Sequence, residues 1–236
     1  MKRKEFSVDF RETKLIGDTI FSDSSPRVLC LHGAGPADRQ RFKELRNMLA
    51  AKGIASCAFD FIGHGETGGE MASSSLKSRV EQSLAVIASQ RLPRPLSIIA
   101  SSMSGYVAIQ LIKSCEVDNL IFLAPAVYAS NANSIAFGPE FTKVIRRPYS
   151  WRATDAWEIL KQYKGNLLVF AAEKDQVIPD EVIQKIYTSA QNAKSREVVL
   201  LKEATHPLGK WLNEHPDLLR TVSDRISDVL QRKDFR

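Results

Sequence analysis

The chain has 236 residues, of which 44% are hydrophobic and 25% are charged, values that are ordinary for a globular protein and disfavour a disordered chain or a coiled coil. The formal net charge is +6, but tight basic runs occur only at Lys2–Lys4 and Arg146–Arg147, so we expect no nucleic-acid partner. No segment approaches the roughly 18 continuous apolar residues that a membrane span needs, so we expect none.

The first half of the chain alternates apolar runs with helical patterns. Residues 5–10 and 14–21 predict the strands of an antiparallel hairpin, and residues 28–31 and 54–59 predict two further strands. A helix is expected at 39–52, and a Ser-capped helix after the Gly-rich loop that follows the fourth strand. The apolar residues that predict these two helices are Phe42, Leu45, Met48 and Leu49 in the first and Leu76, Val80, Leu84 and Ile87 in the second.

The rest of the chain continues this alternation. Strands are predicted at 96–100, 120–123, 167–171 and 197–201, and helices at 103–113, 180–190 and 218–230. Strands that are connected through helices form right-handed crossovers, so we predict an α/β protein with a mostly parallel, doubly wound sheet and helices on both faces. We expect residues 1–236 to form one domain.

The segment of about 126–160 interrupts the alternation. It holds two of the three tryptophans and further aromatic residues, namely Tyr128, Phe137, Phe141, Tyr149, Trp151 and Trp157. It follows the carboxyl end of a predicted parallel strand, where open α/β sheets bind ligands. We predict a short cap insertion, for which a second small core and a pocket lining are compatible interpretations.

Residues 96–106 (LSIIASSMSGY) join a predicted buried strand to a helix by a sharp turn, the setting of a nucleophile elbow. So tight a turn requires small side chains two positions before and two positions after the nucleophile. Ser102 has Ala100 and Ser104 there, whereas Ser101 and Ser104 each have at least one large side chain. Ser102 is therefore the predicted nucleophile, although its neighbours replace both glycines of the usual Gly-x-Ser-x-Gly motif.

A serine nucleophile needs a base, which in the chain order Ser, Asp, His comes last. Of the four histidines, His32 and His64 precede Ser102 in Gly-rich loops and are expected to shape turns, and His215 lies where a helix starts. His206 follows the last predicted strand, on the edge where the nucleophile lies, and is the predicted base.

The acid that orients this base should follow the preceding strand. In the run LLVFAAEKDQVIP, Asp175 lies in the turn, where a carboxylate fixes the imidazole tautomer and stabilises the imidazolium. The alternatives are Glu173, which is nearer the strand, and Asp180, which resembles a helix N-cap.

The oxyanion that forms on an attacked carbonyl group must meet fixed hydrogen-bond donors. His32–Gly35 (HGAG) follows the strand 28–31 directly, so its backbone N–H groups lie at the sheet edge beside the elbow. We predict that the oxyanion hole consists of the N–H groups of Ala34 and Met103. An ordinary strand-to-helix turn is the alternative interpretation of HGAG.

In their order along the chain, these motifs resemble those of the α/β-hydrolase superfamily, and the resemblance covers essentially the whole chain. The matching segments are HGAG, Asp60–Thr67 (DFIGHGET), ASSMSG, AAEKDQVIP and ATHP. The resemblance implies that residues 60–67 form a structural turn near the site. The short aromatic cap is similar to that of small esterases of the cinnamoyl/feruloyl-esterase and monoacylglycerol-lipase-like branch.

The predicted reaction is hydrolysis of a carboxylic ester of a small apolar or aromatic substrate through an acyl-enzyme. Thioester hydrolysis and aminopeptidase activity by the same triad are alternatives, and the latter would require a carboxylate that holds the substrate amine, for which Glu140, Asp155 and Glu158 are available. A catalytically silent binding protein of the same fold is a third alternative. No residues show metal-ligand spacing, so neither metal nor cofactor is expected.

The three cysteines, Cys30, Cys57 and Cys115, lie in apolar stretches. An odd number of buried thiols is typical of a reduced, cytoplasmic protein. Residues 5–10 offer no apolar core for a signal peptide. The expected partner is a small-molecule ester, and the oligomeric state cannot be read from the pattern.

Overall fold

The computed structural model describes residues 2–22 and 26–232, which contain an eight-stranded sheet. Residues 1, 23–25 and 233–236 of the predicted domain lie outside the described ranges. The strands are β1 (Lys2–Phe10), β2 (Thr13–Phe21), β3 (Val28–Leu31), β4 (Ser56–Phe59), β5 (Leu96–Ser101), β6 (Val117–Leu123), β7 (Asn166–Ala172) and β8 (Ser195–Leu201). Every strand that the sequence predicts is present, with small shifts at the ends.

Helices connect these strands. They are α1 (Lys43–Ala51), α2 (Leu76–Ser89), α3 (Ser104–Leu111), α4 (Pro139–Ile145), α5 (Ala156–Gln162), α6 (Asp180–Ser189), α7 (Leu208–Asn213) and α8 (Pro216–Leu230). The predicted helix at 39–52 begins as a 3₁₀ turn over Arg39–Phe42. The sequence did not predict α4, α5 and α7, since six or seven residues are too few to display a helical period. None of the helices in the described ranges has both the length and the apolar character that crossing a membrane requires.

The sheet has the order β1-β2-β4-β3-β5-β6-β7-β8. β1 and β2 form the predicted antiparallel hairpin, and β2 runs antiparallel to β4. The strands from β3 to β8 are parallel to their neighbours. The mostly parallel α/β-hydrolase fold is therefore confirmed, and the carboxyl ends of β3, β5, β7 and β8 meet at one edge.

Helices cover both faces of the sheet, as predicted. Successive residues of a strand point to opposite faces, so Ile98 and Ile99 of β5 belong to different apolar clusters. One cluster includes buried residues of α2, α3, α5 and α6, and the other includes those of α1, α7 and α8. The central strands of the sheet are thus buried on both sides, which explains the apolar runs of β3, β5 and β7.

The expected apolar face of α2 faces the core and is extended by buried polar side chains. Leu76 and Ile87 are buried, and the half-buried Val80 and Leu84 pack against the same apolar cluster. Arg79 and Gln82 are fully buried as well. Gln82 contacts the neighbouring loop, because its Oε1 accepts a hydrogen bond from the N–H of Ile62 at 2.9 Å.

The segment 126–160 contains α4 and α5, joined by irregular turns. Its aromatic side chains pack mainly on each other: Phe137 lies edge-to-face against Phe141 at a centroid distance of 4.9 Å, and Trp151 lies against Trp157 at 6.2 Å. Phe137 and Phe141 are buried in the same cluster as α2 and α3. Most aromatic residues of this segment therefore pack in a small core, whereas Tyr149 is exposed.

All three thiols are buried and unpaired, which confirms their predicted burial. Burial raises the pKa of the Cys30 and Cys57 thiols to about 12. Neither is therefore a thiolate at neutral pH, and neither has the character of a cysteine nucleophile.

Candidate active site

Ser102 lies in the turn between β5 and α3, in a backbone conformation that non-glycine residues rarely adopt. Its φ angle is +49°. Three hydrogen bonds hold it there: its N–H donates to the carbonyl of Leu123 at 3.0 Å, and its carbonyl accepts from Gly105 at 2.9 Å and Ala126 at 2.8 Å. Such strain persists only where the surroundings fix the backbone, and it clusters at functional sites.

The small residues on either side of Ser102 are enclosed. Ala100 and Ser104 are both fully buried. The hydroxyl of Ser104 also donates a hydrogen bond to the carbonyl oxygen of His32. The two departures from the glycine motif are therefore accommodated, and one of them adds a link between the elbow and the loop after β3.

The structure brings Ser102, His206 and Asp175 together. Oγ of Ser102 lies 2.9 Å from Nε2 of His206, and Nδ1 of His206 lies 2.9 Å from Oδ2 of Asp175. These residues lie at positions 102, 175 and 206 of the chain but meet because β5, β7 and β8 end at the same edge. Neutral His206 can donate from Nδ1 to the carboxylate while Nε2 accepts the serine proton.

Asp175 is held by its own turn as well as by the imidazole. Its Oδ1 accepts from the N–H groups of Val177 at 2.8 Å and Ile178 at 2.9 Å. Burial alone would raise the pKa of this carboxyl, but the hydrogen bonds from His206, Ile178 and Val177 outweigh burial and lower the pKa. Asp175 is therefore ionised at neutral pH.

The two alternative carboxylates lie elsewhere. Oε2 of Glu173 accepts from the N–H of Glu203 at 2.8 Å, and Asp180 is the first residue of α6. Among the described residues, Asp175 is the carboxylate that contacts His206.

The HGAG loop passes directly over the elbow. A Cβ atom placed on Gly33 would lie 3.1 Å from Cβ of Ser102 and 3.4 Å from the carbonyl of Ser101, which leaves little space for a side chain. Within the described ranges, the N–H groups of Ala34 and Met103 have no protein acceptor. Two free donors therefore flank the backbone of Ser102.

Two buried histidines brace this loop. Nδ1 of His32 lies 2.8 Å from the carbonyl of Gly33, and Nε2 of His32 accepts from the N–H of Phe61 at 3.1 Å. Nδ1 of His64 lies 2.9 Å from the carbonyl of Ala37. Both rings act as the neutral tautomer that is protonated at Nδ1. They shape loops and make no contact with Ser102, as the sequence predicted.

Arg79 is a buried cation that sequence reasoning missed. Its Nη2 lies 2.6 Å from Nε2 of His64, and its Nη1 donates to the carbonyl of Gly33 at 3.4 Å. The guanidinium also lies over the rings of Phe61 and Phe137, at 4.7 Å and 4.9 Å from their centroids. No carboxylate pairs with it among the described residues, and its Nε has no partner there. The available sequence signal was that Arg79 follows Leu76 by three residues, a spacing that places both on the same face of a helix.

Burial lowers the pKa of both histidines, and the charge of Arg79 lowers them further. The pKa of His64 falls to about 4. Burial also lowers the pKa of Arg79, to about 10, so Arg79 is charged at neutral pH while His32 and His64 are not.

The Asp60–Thr67 loop has the structural character that the resemblance implies. The carboxylate of Asp60 accepts from the N–H groups of Arg39 at 2.8 Å and Glu66 at 3.0 Å, and pairs with the buried guanidinium of Arg39. A Cβ atom on Gly65 would lie 2.3 Å from Asp60, so glycine is required there.

A cavity of about 120 Å³ opens beside Ser102 and His206. Its lining consists of residues from loops, from the 3₁₀ turn, from the end of β5 and from α7: His32, Gly33, Ala34, Pro36, Ala37, Arg41, Phe42, Ser101, Ser102, His206, Pro207, Gly209 and Lys210. None of these belongs to the segment 126–160, so the aromatic residues there do not line this cavity. A larger depression of about 650 Å³ lies at the opposite edge, where the parallel strands begin, whereas open α/β sheets bind ligands where strands end.

The described ranges contain no group of three or more His, Cys, Asp or Glu side chains arranged to hold a metal ion. The side chains at Ser102 form a series of hydroxyl, imidazole and carboxylate groups in hydrogen-bond contact.

Sequence comparison relates the chain to known hydrolases. The family model described as serine aminopeptidase, S33, matches residues 22–155. The chain is also 27% identical over 193 residues to the lysophosphatidylserine lipase of Danio rerio, an alignment that covers 74% of this chain. The alignment covers 50% of the lipase, so the chain spans about half the length of this curated relative.

Solved structures share the fold at low identity. Est1E of Butyrivibrio proteoclasticus, solved with ferulic acid bound, has a TM-score of 0.74 at 16% identity, covering 96% of this chain and 100% of that one. The monoacylglycerol lipase of Paleococcus ferrophilus has a TM-score of 0.69 at 16% identity, covering 91% and 98%. At such identities the likeness concerns the fold alone.

Proposed function

The chain belongs to the serine aminopeptidase S33 family of α/β-hydrolases, and we propose that within it the protein is a serine esterase that acts on small carboxylic esters. Ser102 is the proposed nucleophile, His206 the general base and Asp175 the acid that orients it. The N–H groups of Ala34 and Met103 are the proposed oxyanion hole. We also propose that residues 1–236 form one domain, with about 126–160 as a cap.

The proposed reaction begins with acylation. Oγ of Ser102 attacks the carbonyl carbon of the ester and its proton passes to Nε2 of His206, while the carbonyl π electrons move onto the oxygen. The N–H groups of Ala34 and Met103 donate to that oxyanion. When the carbonyl re-forms, the bond to the leaving oxygen breaks and the alcohol takes the proton from His206.

Deacylation repeats these steps with water. His206 removes a proton from the water molecule as its oxygen attacks the acyl carbon. The second tetrahedral intermediate expels Oγ of Ser102, which takes the proton back. The carboxylic acid leaves, and the enzyme returns to its starting state.

The contact between Ser102 and His206 carries this proposal. The Oγ–Nε2 distance of 2.9 Å allows direct proton transfer, and the positive φ of Ser102 is the strained backbone that a nucleophile elbow requires. Asp175, at 2.9 Å from the other nitrogen, favours the tautomer in which Nε2 accepts. A catalytically silent protein has no need of this series of contacts.

Aminopeptidase activity is the second candidate, because it is the activity in the family description. The three carboxylates available to hold a substrate amine are not favourably placed. Asp155 already accepts from Tyr106, Gln110 and Lys113, and neither it nor Glu140 or Glu158 lines the cavity at Ser102. This favours esters, or thioesters, over peptides with a free amino terminus.

The size of the cavity favours a small substrate group. Its volume of about 120 Å³ is near that of a cavity that holds one benzene ring, roughly 150 Å³. A short acyl chain or an aryl alcohol fits this space. The lysophosphatidylserine lipase is a relative that acts on an ester, which is consistent with esterase chemistry for this chain.

Labelling with a fluorophosphonate tests the proposal, since such a probe phosphonylates only an activated serine. We expect one label on a peptide that contains Ser102 and a rate of labelling that falls by several orders of magnitude in His206→Ala. A His215→Ala variant is the matched histidine control and should label at the wild-type rate. Equal rates in wild type and His206→Ala would show that His206 is not the base.

A further inference from the structure

The cavity beside Ser102 has an asymmetric charge. Two cationic side chains line it, Arg41 and Lys210, and no carboxylate does among the described residues. The remaining lining is small or apolar, apart from Ser101, Ser102 and the histidines His32 and His206. The charged side chains that a substrate group would contact in this cavity are therefore cationic.

The two cations come from separate elements that pack together. Arg41 lies in the 3₁₀ turn before α1, and Lys210 lies in the first turn of α7. The two elements are in contact, since a Cβ atom placed on Gly209 would lie at an ordinary van der Waals distance of 3.6 Å from the carbonyl oxygen of Arg41. Since Lys210 follows His206 by four residues, the segment that bears the proposed base also bears one of the cations.

In the part of the chain that the structure describes, Arg41 has no carboxylate partner and Lys210 has a distant one. Nη2 of Arg41 donates to the carbonyl of Pro36 at 2.9 Å, which uses one of the five N–H donors of the guanidinium. Lys210 faces Glu214 at 3.8 Å, and both side chains are 58% exposed, so solvent weakens that pair. Arg41 therefore keeps unused donors, and the charge of Lys210 is only weakly compensated.

We infer that Arg41 and Lys210 form a subsite for an anionic group of the substrate, a carboxylate or a phosphate, which holds the ester with its carbonyl at Ser102. The inference rests on the proposed esterase function, because it defines which esters that site prefers. Guanidinium forks and ammonium groups are the side chains that bind carboxylate and phosphate oxygens. The net charge of +6 favours the approach of such anions.

A pair of nearly isosteric esters tests the subsite. 4-Acetoxybenzoate and 4-acetoxybenzamide differ by one negative charge, and 4-acetoxyphenyl phosphate distinguishes a phosphate preference from a carboxylate preference. We expect the KM of the anionic esters to rise about threefold in Arg41→Gln and in Lys210→Gln and about tenfold in the double variant, with kcat unchanged within twofold. The KM of the neutral amide should stay within twofold.

The matched control removes the same charge outside the cavity. Lys43→Gln and Lys202→Gln alter exposed lysines that do not line it, and their double variant should leave every KM within twofold. Raising the salt concentration should raise the KM of the anionic esters in wild type and change that of the amide little.

Product binding tests the subsite without turnover. In Ser102→Ala, we expect 4-hydroxybenzoate or 4-hydroxyphenyl phosphate to bind at least threefold more tightly than 4-hydroxybenzamide in calorimetry, and the preference to vanish when Arg41→Gln and Lys210→Gln are added. Equal affinities of all three products, or equal changes in KM for charged and neutral esters, overturn the subsite. A different result would reject the esterase proposal, namely ester turnover that does not depend on Ser102.

Discussion

The side-chain hydroxyl of Ser104 donates a hydrogen bond to the backbone carbonyl of His32, so the turn that carries Ser102 is tied to the loop that carries Ala34. Both partners are buried. Glycine, which usually occupies position 104 of such an elbow, has no side chain that could make this bond. The substitution that weakens the sequence motif therefore strengthens the contact between the nucleophile turn and the proposed oxyanion loop.

Ser104→Ala is expected to lower the free energy of unfolding by about 1–3 kcal/mol, because it leaves the buried carbonyl of His32 without this donor. Urea unfolding followed by circular dichroism measures the change. Ser101→Ala is the matched control, since Ser101 is only half-buried, and it should cost less. A Ser104→Ala protein as stable as wild type would mean that the bond contributes nothing.

Asp175→Asn is expected to lower kcat by about 10⁴, because an amide that donates to Nδ1 of His206 favours the wrong tautomer. Steady-state turnover of p-nitrophenyl acetate measures it. Glu173→Gln provides the matched control, since Glu173 contacts the backbone of Glu203 and not His206, and its kcat should stay within threefold. If the two variants lost activity equally, Asp175 would have no special role.

The buried histidines predict a loss of stability in mild acid. The unfolded chain binds a proton at His64 below its ordinary pKa of 6.5, whereas the folded chain does so only below about 4. The contribution of His64 to the free energy of unfolding is therefore fully present above pH 6.5. This contribution falls by about 1.4 kcal/mol per pH unit between pH 6.5 and 4. The lowered pKa of His32 adds a loss of the same sign.

Urea unfolding at pH 7, 6, 5 and 4.5 measures this slope. His64→Gln should reduce the slope because it removes one titrating group. A slope that is identical in wild type and His64→Gln would contradict the expected proton linkage.

Much of the fold was predictable from local pattern. The central strands β3, β5 and β7 are largely apolar runs because the sheet is buried there on both faces, and such runs are visible without tertiary information. Because these strands are parallel, their carboxyl ends lie at the same edge of the sheet. For the same reason, the residues at 102, 175 and 206 could be expected to meet from their positions after three different strands.

The parts that sequence missed depend on tertiary contact. Arg79 looks like a surface residue of α2, but its guanidinium lies over aromatic rings and against His64, contacts that come from a distant loop and from the segment 126–160. Likewise, the sequence allowed the aromatic residues of that segment to line a pocket, yet all of them except the exposed Tyr149 pack on one another. The cavity lies instead beside α7, a helix of six residues that is too short to show a period.

The role of Ser102 is tested most directly by turnover of p-nitrophenyl acetate in three single variants, Ser101→Ala, Ser102→Ala and Ser104→Ala. We expect Ser102→Ala to lower kcat/KM by at least 10³, since removal of a triad serine has effects of that order or larger, while the other two retain activity within about tenfold. If Ser102→Ala kept most of the wild-type activity, the proposed mechanism would be wrong.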